Sequence, residues 1–183
     1  MGEFADARAQ LLIDNPIPSA KRRTALTALT DAWISKLAQD AGVDQLKGAV
    51  IAVGGYGRGE LAPGSDLDIV LIVPPSTNPN LIPKVADKLW YPIWDEGMRL
   101  DHSVRTVAQA RTMAADDLKV ALGLLDARTV YGDDSLRQKL SVQIQADWKA
   151  LSDRRLPELR SHVQERISPV SYTHLRAHET RED

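Results

Sequence analysis

The chain has 183 residues, 43% of them apolar and 26% charged, a balance that excludes a disordered or fibrous protein and predicts a folded core. Its net charge of -2 gives no broad attraction to nucleic acid or to an anionic membrane, so any nucleotide contact must be local. Without cysteine there is no disulfide framework, thiolate metal site or cysteine nucleophile.

The opening residues, MGEFADARAQ, are acidic and helix-like rather than basic and then apolar, unlike a signal peptide. No apolar run approaches the roughly 18 residues that a membrane span needs. The expectation is a soluble cytoplasmic protein whose residues 1–19 form a lead-in. From Ala20 to Ala41, the side chains of Leu26, Leu29, Trp33, Ile34 and Leu37 recur at helical spacing and predict an amphipathic helix capped by Gly42. The apolar run Ala49 to Val53, bounded by Gly48 and Gly54, predicts a short buried strand that leads straight into a glycine-rich turn.

A second strand is predicted over Asp66 to Val73, rich in branched side chains and stopped by Pro74 and Pro75. A polar loop over 76–80 precedes a helix that begins after Pro83, carries Val85, Leu89, Trp90, Ile93 and Trp94, and ends at Gly97. Arg99 to Thr106 alternates as a third strand, with Leu100, His102 and Val104 on one face and Asp101 and Ser103 on the other. A packed, hydrogen-bonded histidine is the expectation for His102, core packing for Trp90 and Trp94. From Val107 onward the pattern is helical, broken once at Gly132 and Asp133.

The predicted class is α/β (α+β): a small mixed sheet with flanking helices, followed by a helical segment. The division places a core at 20–106, helices at 107–169 and a polar, non-native tail at 170–183. His174 and His178 in that tail share the spacing of a metal pair but read as ordinary tail residues.

Gly54, Gly55, Gly57 and Gly59 crowd into six positions directly after the first strand. Such a turn lets backbone N–H groups approach a phosphate, though a tight connection without ligand has the same composition. Its spacing matches neither the dinucleotide fingerprint nor the P-loop, and the acidic residue a dinucleotide fold requires is missing. Asp66 and Asp68, two apart at the start of a strand, project from one face, where paired carboxylates repel unless a cation lies between them. Hard oxygen donors of this kind suit Mg²⁺, while a solvated strand entry with Ser65 and Asp66 as turn formers is the plainer alternative.

Strand, Gly-Gly, eleven positions to an aspartate, then Asp-x-Asp on a second strand resembles the DNA polymerase β-like nucleotidyltransferase superfamily. The segments VGGYGRGELAPGSDLDIVLI, LWYPIWDEG, LDHSVRT and LLDARTVYGD look like the bacterial bifunctional uridylyltransferase/uridylyl-removing family that modifies PII signal proteins. This resemblance runs from about Leu26 to Pro169. It implies a nucleotidyltransferase that moves UMP from UTP to a PII tyrosine, with Mg²⁺ on Asp66, Asp68 and a third carboxylate, Asp101. Gly54 and Gly55 would then cradle the triphosphate, with Ser65 adding a hydroxyl and Arg58 a planar phosphate contact. Arg105 would face either the site or solvent. The family's phosphohydrolase and ACT domains have no counterpart in these residues, so no uridylyl-removing activity is expected. Partners outside this scheme, nucleic acid and membrane, are not expected. Two alternatives stand beside it: a related regulatory nucleotidyltransferase with another nucleotide or acceptor, and an inactive nucleotide-binding fragment.

Overall fold

The computed structural model describes residues 2–167; the predicted polar tail lies outside them. Chain order is α1 (Glu3–Asp14), α2 (Ala20–Ala41), β1 (Ala49–Ala52), α3 (Gly54–Gly57), β2 (Leu67–Ile72), α4 (Ile82–Asp95), β3 (Leu100–Arg105), α5 (Val107–Asp116), α6 (Leu118–Leu125), β4 (Arg128–Gly132), α7 (Asp134–Ala150) and α8 (Ser152–Ile167). No helix among the described residues is long and apolar enough to cross a membrane.

The predicted long helix is α2, started by the Ser19 hydroxyl accepting from the Arg22 N–H and ended by Gly42 at φ +86°, a conformation glycine adopts without penalty. Its deepest stripe is Leu26, Thr30, Ile34 and Ala38, one position round from the predicted one. Leu29, Trp33 and Leu37 flank that stripe, and Trp33 stacks on Phe4 of α1 with ring centroids 3.9 Å apart.

The four strands form one mixed sheet in the order β3-β2-β1-β4, with β1 antiparallel to both neighbours and β2 parallel to β3. β1 is buried throughout because both faces are covered, which is why it reads as an unbroken apolar run. Val50, Ala52, Leu67, Ile69 and Leu71 pack towards α2 and α4; Ala49, Ile51, Val70 and Ile72 pack towards α5, α6 and α7. Burying one Leu or Ile stabilises by about 1.5–3 kcal/mol, so these two layers dominate the stability of the fold.

The helical pattern predicted from Val107 onward needs one correction: β4 interrupts it and adds a fourth strand beside β1. The sheet therefore draws on residues beyond 106. Thr129, Val130 and Tyr131 carry strand propensity there, but the strand is short, half-buried and set between leucine-rich helices. Gly132, at φ +92°, ends it where a Cβ would lie 2.2 Å from the Gly48 carbonyl oxygen. Asp133 then restarts a helix by accepting from the Ser135 N–H.

Candidate active site

Because β1 and β2 run antiparallel, the end of β1 and the start of β2 meet at one edge of the sheet. Gly54 begins α3 there at φ +57°, and a Cβ on it would come within 3.0 Å of Asp68 Oδ2. A side chain would therefore displace the carboxylate. Parallel pairing of β2 with β3 sets Asp101 directly beside Asp68, on the same sheet face. Burial, then the charges of Asp101 and Asp66, push the Asp68 carboxyl above its usual range, and Arg58 partly offsets them.

These groups open on a cleft of about 420 Å³. Val53, Gly54, Asp68 and Val70 form one side, Asp101, Ser103 and Arg105 of β3 a second, and Lys119, Val120, Gly123 and Leu124 of α6 a third. At Gly123 α6 passes over the turn at ordinary packing distance, with a Cβ position 3.7 Å from the Gly54 backbone nitrogen. Lys119 and Gly123 escaped the sequence reading. Their signal, an i, i+4 pair on one helix face, lay in a segment assigned to helical packing.

The other predicted site residues are distributed differently. Asp66 stands just ahead of β2, largely exposed, with Arg99 Nε 2.5 Å from its Oδ1. Arg58 is held by Glu60 at 2.8 Å and Asp126 at 2.9 Å. The Ser65 hydroxyl accepts from the Ala62 N–H at 2.9 Å and serves the turn. Asp66, Gly55, Arg58 and Ser65 do not line the cleft. His102 meets Trp90 and Trp94 at 5.1 and 5.3 Å on the face opposite Asp101, but it stays exposed rather than packed into the core. Trp90 is core as predicted, whereas Trp94 stays 43% exposed.

Among the described residues no group of three or more His, Cys, Asp or Glu side chains is close enough to hold a metal. The side-by-side pair Asp68 and Asp101 nonetheless fits a divalent cation. Two like charges, one half-buried, raise each other's energy until a hard cation neutralises them. Asp66, paired with Arg99 through Oδ1, is near enough for its charge to act on Asp68.

The comparisons with known proteins agree with this layout. The nucleotidyltransferase domain family matches residues 34–118, which run from α2 into α6 and include the turn and all three aspartates. The bifunctional uridylyltransferase/uridylyl-removing enzyme of Streptomyces coelicolor is 47% identical over 165 residues, 90% of this chain and 20% of that protein. Its counterpart in Mycobacterium tuberculosis is 42% identical over 161 residues, 86% of this chain and again 20% of that protein. A solved toxin-antitoxin structure with AMP-PNP aligns over 73% of this chain and 98% of that one, at 16% identity and a TM-score of 0.45, too distant to carry an argument. The chain thus carries a nucleotidyltransferase domain and is related, along about a fifth of their length, to the bifunctional uridylyltransferase/uridylyl-removing enzymes.

Proposed function

We propose that this domain moves UMP from UTP to a tyrosine hydroxyl of a PII nitrogen-regulatory protein, releasing pyrophosphate. The reading rests on Asp68 and Asp101 standing together against Gly54 at the mouth of one cleft, in a chain so similar to uridylyltransferases. The acceptor oxygen attacks the α-phosphorus, the bond from that phosphorus to the bridging oxygen breaks, and the hydroxyl proton is released. Uridylyl-tyrosine, pyrophosphate and that proton account for every atom.

Asp68 and Asp101 would hold a divalent cation, and Mg²⁺ suits their hard oxygens; Asp66 is the third candidate ligand. Bound there, the ion supplies charge neutralisation for the carboxylates and the triphosphate. Gly54 and Gly55 open the turn, so their backbone N–H groups have no intrahelical partner and are free for phosphate oxygens. Arg105 and Lys119 bring positive charge to the same cleft, and Val53, Val70 and Leu124 give it apolar walls.

The test incubates the chain with each labelled nucleoside triphosphate, Mg²⁺ and a purified PII protein, alongside Asp68→Asn and Asp101→Asn. UMP transfer from UTP that disappears in both variants is the expected result. Transfer of another nucleotide, or none from folded protein, overturns the uridylyl assignment. Mg²⁺-dependent UTP binding that survives without transfer would leave the other reading, a cleft that binds nucleotide without turning it over.

A further inference from the structure

The turn that faces Asp68 is built from glycines, which have no side chains to lock it and lose the most backbone freedom on ordering. Something outside the turn must fix it. Tyr56, in the middle of α3, is only 1% exposed and donates its hydroxyl to Asp31 Oδ1 of α2 at 2.8 Å. Arg128 of β4 grips the same carboxylate with two nitrogens, at 2.7 Å to Oδ2 and 3.1 Å to Oδ1. Its guanidinium also donates to the Tyr56 and Gly57 carbonyl oxygens, both at 3.3 Å, and lies 5.4 Å from the Tyr56 ring centre. Three elements far apart in sequence thus close on the carbonyl end of a single helical turn, the end whose acceptors have no partner within the helix.

We propose that Asp31, Tyr56 and Arg128 form a positioning clamp that sets the glycine turn against Asp68 for nucleotidyl transfer, an inference that rests on the proposed function. None of the three lines the cleft, so they act through the turn and not on the substrate. A planar fork is required: one cation must serve a carboxylate and two backbone carbonyls together, which an ammonium on a flexible stem does not do. The clamp also explains why the sheet recruits β4, because that strand delivers Arg128 beneath the turn.

The test compares Tyr56→Phe, Arg128→Lys and Asp31→Asn with Arg155→Ala. Arg155 is a buried residue on α8 that donates to the Ala114 and Ala115 carbonyls, so its loss should lower stability without touching the clamp. All proteins are assayed well below their melting temperatures, for kcat, for KM of the nucleoside triphosphate, and for hydrogen exchange of the amides of residues 57–60. A turn displaced by about 1 Å costs about 100-fold in turnover, so the clamp variants should lose kcat on that order and exchange faster in the turn. Arg155→Ala should lose only melting temperature. Clamp variants that stay folded and keep both wild-type kcat and wild-type exchange overturn the inference. Were the wild-type chain to transfer nothing, the proposed function would fall, and the exchange rates, which need no substrate, would still decide the clamp.

Discussion

Gly55→Ala and Gly57→Ala add the same methyl group two residues apart in one turn, and opposite effects on stability are expected. Neither position has a left-handed backbone, so in both cases alanine restricts the unfolded chain and contributes about 0.4–1 kcal/mol of stability. At Gly55 nothing opposes this gain, because the nearest atom to the new Cβ is Arg58 Nη2 at 3.9 Å. At Gly57 the Cβ would lie 2.4 Å from the Asp126 carbonyl oxygen and 3.0 Å from that of Ala52. Both are backbone atoms, one in the buried strand β1 and one at the end of α6, so neither can swing aside. Forcing such a group into a packed site costs about 1–3 kcal/mol, which exceeds the conformational gain. A net loss of about 1–2 kcal/mol corresponds to about 2–8 °C in melting temperature for a chain of this length. Thermal unfolding followed by circular dichroism should show Gly57→Ala below wild type and Gly55→Ala level with it or above. The steric argument fails if Gly57→Ala melts at or above wild type, or if Gly55→Ala falls equally far. Gly55→Ala then serves a second purpose: if phosphate oxygens approach that backbone, this folded variant should show a raised KM for the nucleoside triphosphate.

Two further outcomes follow from groups outside the cleft. Thr27, 7% exposed, buries a hydroxyl with no hydrogen-bond partner, so Thr27→Val should gain about 1 kcal/mol in denaturant unfolding; a loss would mean that the hydroxyl is paired in solution. Hydrogen bonds from Arg137, Thr129 and Gln138 hold the Asp134 carboxyl well below the usual carboxylate range. A carboxyl depressed on folding adds stability that is fully present above its unfolded value, near pH 4, and is lost as the pH falls further. Melting temperature should therefore decline less steeply between about pH 5 and pH 3 in Asp134→Asn than in wild type, and parallel curves would remove Asp134 from the acid response.

What the sequence made legible is what local physics decides. Four consecutive buried residues between glycines announce β1, branched side chains before two prolines announce β2, and Gly42 marks the end of α2. The Asp68–Gly54 contact was within reach too, since a glycine turn and an acidic strand entry occur together in the pattern. β4 was not, because four half-buried residues and an exposed glycine at a sheet edge give no clear alternation. Asp31, Tyr56 and Arg128 lie 25 and 72 positions apart in turn, and nothing local to any of them signals that they meet. Arg58 has partners that the pattern did not announce. Its place inside the turn suits a phosphate contact, and it is paired there with Glu60 and Asp126 at 2.8 and 2.9 Å.

Asp66 shows where period-two reasoning stops. Two residues before Asp68, it should share its face, but alternation is a property of paired strand, and pairing begins at Leu67. One residue outside the ladder, Asp66 turned to Arg99 instead. That pair is weak: the two side chains are 53% and 71% exposed, and ion pairs so open to water contribute about 0–1 kcal/mol. Asp68 is different, because burial and then the charge of Asp101, its register partner on β3, both press on its carboxyl. A divalent cation between Asp68 and Asp101 would remove that repulsion, and the exposed Asp66–Arg99 pair would cost little to open. The two carboxylates fixed by the sheet are thus the part of the site built in advance, and the third is the part that a bound ion would recruit.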